Sequence, residues 1–258
     1  MRQKRKNSIA TAAALTLLCW AMQTWAQGAP EFPASGAGSA YGGRVAGKVS
    51  LVGAYQKPDR LKVFKNRDFC GPWVANETLL VSPDGGVQNT VVILHPVDTR
   101  ASVRPARLVL DNIQCAFAPH VQVAPLGSEL ILKNSDPILH TVHARIGKET
   151  LFNVGLPNWR QVTKTLGRAG VIKIDCDVLH VWMSAAIVVT PSPYYVVTDI
   201  HGSFSFDNLP PGRYKIEVWH ERLGTKESRI SLTSNKDMVS VEIVYSSIGI
   251  KAVEKLSR

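Results

Sequence analysis

Short apolar segments broken by turn residues run through nearly the whole chain, at roughly the 8–12-residue spacing of sandwiches and barrels. Nowhere does a 3.6-residue apolar period persist long enough for a long helix. The segments 44–51, 60–65, 78–81, 90–95, 107–110, 121–124, 129–133, 140–146, 161–166, 171–176, 185–189, 194–198, 203–206, 213–220, 228–232 and 239–245 read as strands. A chain punctuated in this way folds as an all-β protein, and so many segments predict two sandwiches rather than one. Composition agrees. Hydrophobic residues make up 45% and charged residues 19%, too apolar for a disordered chain and too poor in charge for a coiled coil.

The first 26 residues stand apart. Arg2, Lys4, Arg5 and Lys6 precede an apolar stretch at 9–25, and Thr24-Trp25-Ala26 offers a small-residue cleavage site before Gln27. The apolar stretch is interrupted by Gln23 and falls short of the ~20 residues needed to cross a bilayer. The segment therefore reads as a cleaved export signal, with no membrane span in the mature chain and the periplasm as its destination. Leu18 is too large for the position before a lipid-modified cysteine, which argues against Cys19 as an anchor. Without the leader, 26 Lys and Arg face 20 Asp and Glu, scattered singly between apolar segments. That distribution excludes a nucleic-acid surface. Residues 27–43, rich in Gly, Ala, Ser and Pro, read as a flexible linker.

Export turns the remaining cysteines into arithmetic. Cys70, Cys115 and Cys176 are odd in number, so one disulfide leaves one thiol, and three pairings are open. A metal is an obvious occupant for the third thiol. Cys176 follows Ile172 and Ile174 on one strand face, so its sulfur points to an apolar interior; His180 and Met183 come within the next seven residues. Thiolate, imidazole and thioether form a soft donor set of the kind that selects copper. A second imidazole is offered by His140, where a strand ending at Lys133-Asn134 turns at Asp136-Pro137 and re-enters. Alone, a buried Cys or Met is core filler and a single His is solvated; the four together form a constellation.

Asn134 followed six residues later by His140, with Cys176, His180 and Met183 after them, resembles the cupredoxin family of blue-copper proteins, over roughly 105–190. The resemblance implies a Greek-key β-sandwich holding one copper ion. His140, Cys176 and His180 would be the main ligands, Met183 the weak axial one. The Cys-x3-His-x2-Met spacing departs from plastocyanin and is similar to the end of the loop in binuclear purple-copper domains. Those have a further Cys where this chain has Ile172, which implies a mononuclear site. Thr141 would serve the sulfur through its backbone N–H, and Trp182 would shield the metal from water. His143 competes as the second imidazole, although it is one residue out of phase with His140; His120 would serve a second metal or bond a carboxylate. With Cys176 on the metal, Cys70 and Cys115 would form the disulfide.

Toward the carboxy terminus, Asp199-x2-Gly202-x-Phe204-x-Phe206-x2-Leu209-Pro210-Pro211-Gly212-x-Tyr214 places Phe204 and Phe206 on one face, as it does Tyr214, Ile216 and Val218. The two strands meet at a Pro-Pro-Gly turn whose Gly212 accepts positive φ. The pattern resembles the smaller carboxypeptidase regulatory-like (transthyretin-like) β-sandwich, over 191–246, and leaves 247–258 as a tail. Residues 44–104 join either sandwich: they complete the regulatory-like module, whose first strand Arg44–Val49 is similar to, or add strands to the copper domain. Trp219-His220 reads as an exposed strand end, the alternative being a cap on the copper site or a domain interface.

The resemblance implies a non-enzymatic single-electron carrier serving a redox partner such as a periplasmic c-type cytochrome. Two other functions fit the same residues. One is copper binding or delivery without electron transfer; the other is a metal-free adhesion or carbohydrate-binding protein that uses Tyr194-Tyr195 as an aromatic platform.

Overall fold

The computed structural model describes residues 42–55, 60–99 and 102–247. The expected leader at 1–26, the linker up to residue 41 and the tail beyond 247 lie outside the described residues. In chain order the elements are β1 Gly43–Val52, β2 Leu61–Lys62, α1 Arg67–Cys70, β3 Trp73–Val74, β4 Val91–Pro96, β5 Arg107–Ile113, β6 Ala116–Ala118, β7 Val121–Pro125 and β8 Glu129–Asn134. They continue with β9 His140–Ile146, β10 Glu149–Leu156, β11 Gln161–Thr165, β12 Gly170–Asp175, β13 Ser184–Thr190 and β14 Tyr194–Val197. The last four are β15 Ser203–Leu209, β16 Gly212–His220, β17 Gly224–Leu232 and β18 Met238–Ser246. The chain is all-β, as its alternation predicts. Among the described residues no helix is long and apolar enough to cross a membrane.

Seven strands build the first sandwich. The sheet β15-β1-β18 faces the sheet β14-β4-β16-β17 across a core that includes Val45, Val49, Leu94, Phe204, Phe206, Tyr214, Ile216, Val218 and Tyr245. β1 runs antiparallel to β15 and parallel to β18. Phe204 and Phe206 therefore do face Tyr214, Ile216 and Val218, but from opposite sheets. The Pro-Pro-Gly segment is an arch carrying the chain between sheets, not a hairpin turn, because two strands aimed at one core from both sides cannot also pair with each other. Ahead of it, the Asp199 carboxylate accepts the N–H groups of His201 and Ser203, both at 2.8 Å, around Gly202 at φ +73°.

Nine strands build the second sandwich, with β11-β8-β5-β6 facing β10-β9-β12-β13-β7. Two pairs are parallel, β5 with β8 and β7 with β13. Leu110, Phe117, Leu130, Leu132, Val142, Leu156, Ile172, Ile174 and Ile187 fill the space between.

A third apolar cluster joins the sandwiches. Val91 and Ile93 of β4, with Tyr195, Val197 and Trp219, pack on Val121, Val123, Ala186 and Val188 of β7 and β13. Both β4 and β13 are thus buried on both faces. Val92 and Leu94 point into the first core while Val91 and Ile93 point the other way; Ile187 and Val189 divide from Ala186 and Val188 in the same manner. This is why Val91-Val92-Ile93-Leu94 and Ala185-Ala186-Ile187-Val188-Val189 are unbroken apolar runs rather than alternating ones. The outcome is four stacked sheets.

Several expectations change. Residues 44–104 divide between the sandwiches: β1 and β4 pair with carboxy-terminal strands, while Leu61, Val63, Cys70 and Val74 pack on the second core. Residues 78–81 form no strand beyond a single bridge at Val81. β10 goes unread in the sequence, because its half-exposed edge position and a bulge between Thr150 and Phe152 blur its alternation. Tyr194-Tyr195 is no exposed platform: Tyr194 lies edge-on to Tyr214 at 6.0 Å, and Tyr195 packs in the junction. Nor is Trp219-His220 an exposed strand end. Trp219 packs in the junction, and His220 is 1% exposed.

Candidate metal centre

β9 begins at His140 and β12 ends at Asp175, and the two strands pair antiparallel with Asp175 opposite His143. That register sets the start of one strand beside the end of the other, so the His140 ring and the Cys176 sulfur meet at one end of the core. The approach to His140 is fixed by Asn134, which is fully buried. Its side-chain amide donates to the carbonyls of Ile138 and Leu156, each at 2.8 Å, and its Oδ1 accepts the Asp136 N–H at 3.1 Å. After Cys176 the chain passes through Leu179 at φ +66° and is closed by the Met183 N–H donating to the His180 carbonyl at 2.9 Å. This turn brings His180 back over the sulfur.

The donors converge. Cys176 Sγ lies 3.9 Å from His140 Nδ1 and 3.7 Å from His180 Nδ1, and the two nitrogens are 3.0 Å apart. A point equidistant from all three lies about 2 Å from each, the length of a metal–nitrogen bond and slightly short of a metal–thiolate one, which is about 2.3 Å. All three residues are buried, His140 completely.

The outer nitrogens explain why the inner ones are available. His140 Nε2 donates to the Asp136 carboxylate at 2.9 Å, and His180 Nε2 donates to Asn66 Oδ1 at 2.9 Å. Each imidazole thus commits its Nε2–H outward and turns Nδ1 inward, the arrangement by which a remote acceptor fixes a ligand's tautomer. One proton at most fits between two nitrogens 3.0 Å apart. A cation satisfies both nitrogens and the sulfur at once, so these residues fit a metal ion.

Asp136 is itself held by the backbone N–H groups of Gln114 at 2.7 Å and Cys115 at 2.8 Å. Burial opposes its charge, but His140 and these N–H groups outweigh burial and keep its carboxyl below the usual range. Burial likewise opposes a charged His140, yet Asp136 and Cys176 together raise its pKa. The Cys176 thiol is pushed up by burial and pulled down further by His140 and the N–H groups of Thr141 and Val178, ending below its ordinary value. Burial, His140 and Lys65 press His180 down to about 4, so that ring is neutral near pH 7, as a ligand must be.

Thr141 takes the place expected of it. Its N–H points at the sulfur from 3.4 Å, and its hydroxyl accepts the Asp177 N–H at 2.6 Å. Trp182 is 7% exposed, stacks obliquely on His180 at 5.0 Å and donates its indole N–H to the Cys115 carbonyl at 3.0 Å. Met183 is buried in the same core as Cys176. Cys70 and Cys115 form a disulfide, leaving Cys176 as the free thiol among the described residues.

Two candidates are not brought to the centre. His143 points to the other face of β9, where Asp177 at 2.9 Å and Thr150 at 2.8 Å occupy its two nitrogens. His120 donates Nδ1–H to the Ser184 carbonyl at 3.0 Å, and its Nε2 meets Glu221 in a short ion pair. Of the two partners expected for it, the carboxylate is the one in contact with its ring. Among the described residues, the one further group of donors, Cys115 with Asp136 and His140, includes a sulfur already in the disulfide. Sequence reasoning missed Asp136 and Asn66. Asp136 reads as a turn residue before Pro137, and Asn66 lies 114 positions from the ring it holds.

No family model and no curated protein matches the chain. Solved structures overlap it in part. A copper-containing nitrite reductase (NirK) from Thermus scotoductus SA-01 is 20% identical over 37% of this chain and 25% of its own, with a TM-score of 0.31. A purple cupredoxin from Nitrosopumilus maritimus is 20% identical over 33% of this chain and 99% of its own, TM-score 0.29. An amicyanin variant in its reduced state is 18% identical over 38% of this chain and 99% of its own, TM-score 0.30. The chain thus spans about a quarter of the nitrite reductase's length.

Proposed function

We propose that this chain is an exported mononuclear copper protein that carries single electrons, with His140, Cys176 and His180 as principal ligands and Met183 as a weaker fourth. The convergence of two inward-turned Nδ1 atoms and one free, buried thiol on a single point carries this reading. A copper ion held there supplies one-electron redox chemistry. The residues around it supply rigidity: His140 and Cys176 sit at the ends of paired strands, and each imidazole is held from outside by a side chain. A carrier needs little ligand movement between oxidation states, and β-strand ends provide it.

Burial of all three donors favours a resident ion over catalysis on a substrate. The cavity next to Met183 and Trp182 measures about 20 Å³, room for one water. In this reading the protein works in the periplasm with a redox partner of the c-type cytochrome class. The seven-stranded sandwich is then a carboxypeptidase regulatory-like accessory.

The test is reconstitution of the exported protein with copper(II). One ion per chain, an intense thiolate-to-copper(II) visible band and reversible one-electron reduction are expected, and Cys176→Ser should abolish the band. A wild-type protein that takes up no copper and stays colourless overturns the proposal. Bound copper that cannot be cycled leaves a delivery role in its place.

A further inference from the structure

The segment 61–74 contributes no proposed ligand, yet it is bound to the second sandwich at several points. Val63 is 1% exposed in the core, Lys65 Nζ donates to the Val178 carbonyl in the ligand loop at 3.4 Å, and Cys70 is bridged to Cys115. Between these anchors stands Asn66, at φ 56° and ψ 36°, just before the four-residue helix α1. An asparagine there ordinarily turns its side chain onto the first N–H groups of the helix. This one makes no such bond and points its Oδ1 at His180 instead.

The disulfide sits beneath this arrangement on both sides. The Cys70 N–H donates to the Asn66 carbonyl at 2.8 Å, and the Cys115 N–H donates to the Asp136 carboxylate at 2.8 Å. Each half of the cystine therefore holds the residue that holds one of the two imidazoles, Asn66 for His180 and Asp136 for His140. Nothing in the ligand-bearing strands requires this. A core that needed only a covalent staple could place it anywhere along β5 and β6.

We propose that segment 61–74 is a cap latched by the Cys70–Cys115 bridge, and that Asn66 on it is the positioning residue that fixes His180. The grip on the metal is then set by a segment outside the strands that supply the ligands. This inference rests on the metal-centre reading, and its test separates the two.

Asn66→Gly removes the side chain without straining the backbone, since glycine accepts the left-handed conformation at this position. Copper release into excess chelator should quicken about 10- to 100-fold, the usual penalty for losing the outer partner of a ligating histidine. The metal-free protein should melt somewhat lower, since the buried His180 N–H loses its acceptor, but should still unfold in one step. Asn66→Asp, which keeps the acceptor, should restore slow release. Replacing both Cys70 and Cys115 by serine should speed release at least as much, and adding Asn66→Gly to that variant should change little, because both act through one contact. Release at the wild-type rate in Asn66→Gly, or effects that multiply independently, would overturn the cap. A second readout needs no copper. Ring-nitrogen NMR of the metal-free protein should show the His180 proton on Nε2 in the wild type and its loss from that site in Asn66→Gly. Should the wild type take up no copper, the functional reading fails, while unchanged His180 signals would still sink the cap on their own.

Discussion

The first sandwich closes its core with hydrocarbon and aromatic side chains, and its buried polar groups, His220 at the end of β16 apart, are hydroxyls such as Ser192 and Thr198, bonded to nearby carbonyls. At one end of the second sandwich, Asn134, Asp136, His140, Cys176 and His180 are all buried. Both cores are mainly apolar and both are built on the same alternation, so burial alone does not distinguish them. What differs is that these polar side chains are held by other groups: Asn134 by the carbonyls it ties together, Asp136 by two backbone N–H groups, each imidazole by a carboxylate or an amide. One core is cohesive because its atoms are interchangeable in kind. The other holds chemistry because its atoms are not, and a single lost partner there leaves a costly orphan.

The sharpest separation of the two comes from Ile216→Ala. Ile216 is fully buried in the first core, and truncation should cost about 2–5 kcal/mol in denaturant unfolding. The visible spectrum of the copper-loaded protein should stay unchanged. A spectral shift would show that the cores are not independent. Asp136→Asn should do the reverse. Loss of the carboxylate that orients His140 should weaken copper binding about 10- to 100-fold, and chelator competition measures it. Unfolding should become easier by only about 1–3 kcal/mol. Unchanged copper affinity would reduce this network to packing.

The junction predicts opposed pH effects from neighbouring histidines. His120 is desolvated, but Glu221 outweighs burial and raises its pKa. Its contribution is whole below about pH 6.5 and is lost as pH rises through the raised value. Burial and the charges of His120 and Arg222 press His220 down to about 4, so its contribution is whole above about 6.5 and is lost as pH falls toward 4. Melting curves across pH should therefore lose their alkaline decline in His120→Gln and part of their acid decline in His220→Gln. The smallest effect is expected at the surface of the second sandwich. Arg107→Ala breaks an exposed pair with Glu129 and should cost at most about 1 kcal/mol, falling with added salt.

Alternation and turn chemistry made most of the strands legible, and Cys176, His180 and His140 stood out because soft donors close in sequence are rare in an apolar setting. What stayed hidden depends on contacts between distant segments. The runs Val91-Val92-Ile93-Leu94 and Ala185-Ala186-Ile187-Val188-Val189 read as strands, and their lack of polar positions carried the unread information that each has a second buried face. Residues 44–104 could not be assigned to one sandwich because they serve both. Asn66 and Asp136 resemble ordinary turn residues, and only the folded chain shows each against an imidazole. The Pro-Pro-Gly segment misled for a related reason: local turn chemistry bends the chain but does not say whether the next strand pairs with the last or crosses to face it.

The two inner sheets of the stack have a further consequence for the life of the molecule. Cutting between the sandwiches would turn a wall of valine, isoleucine and alanine toward water on either fragment. Such a surface invites clumping and capture by proteases. Neither half is therefore a spare part that can be traded alone, and the donor-bearing sandwich and its companion must be made, kept and discarded together.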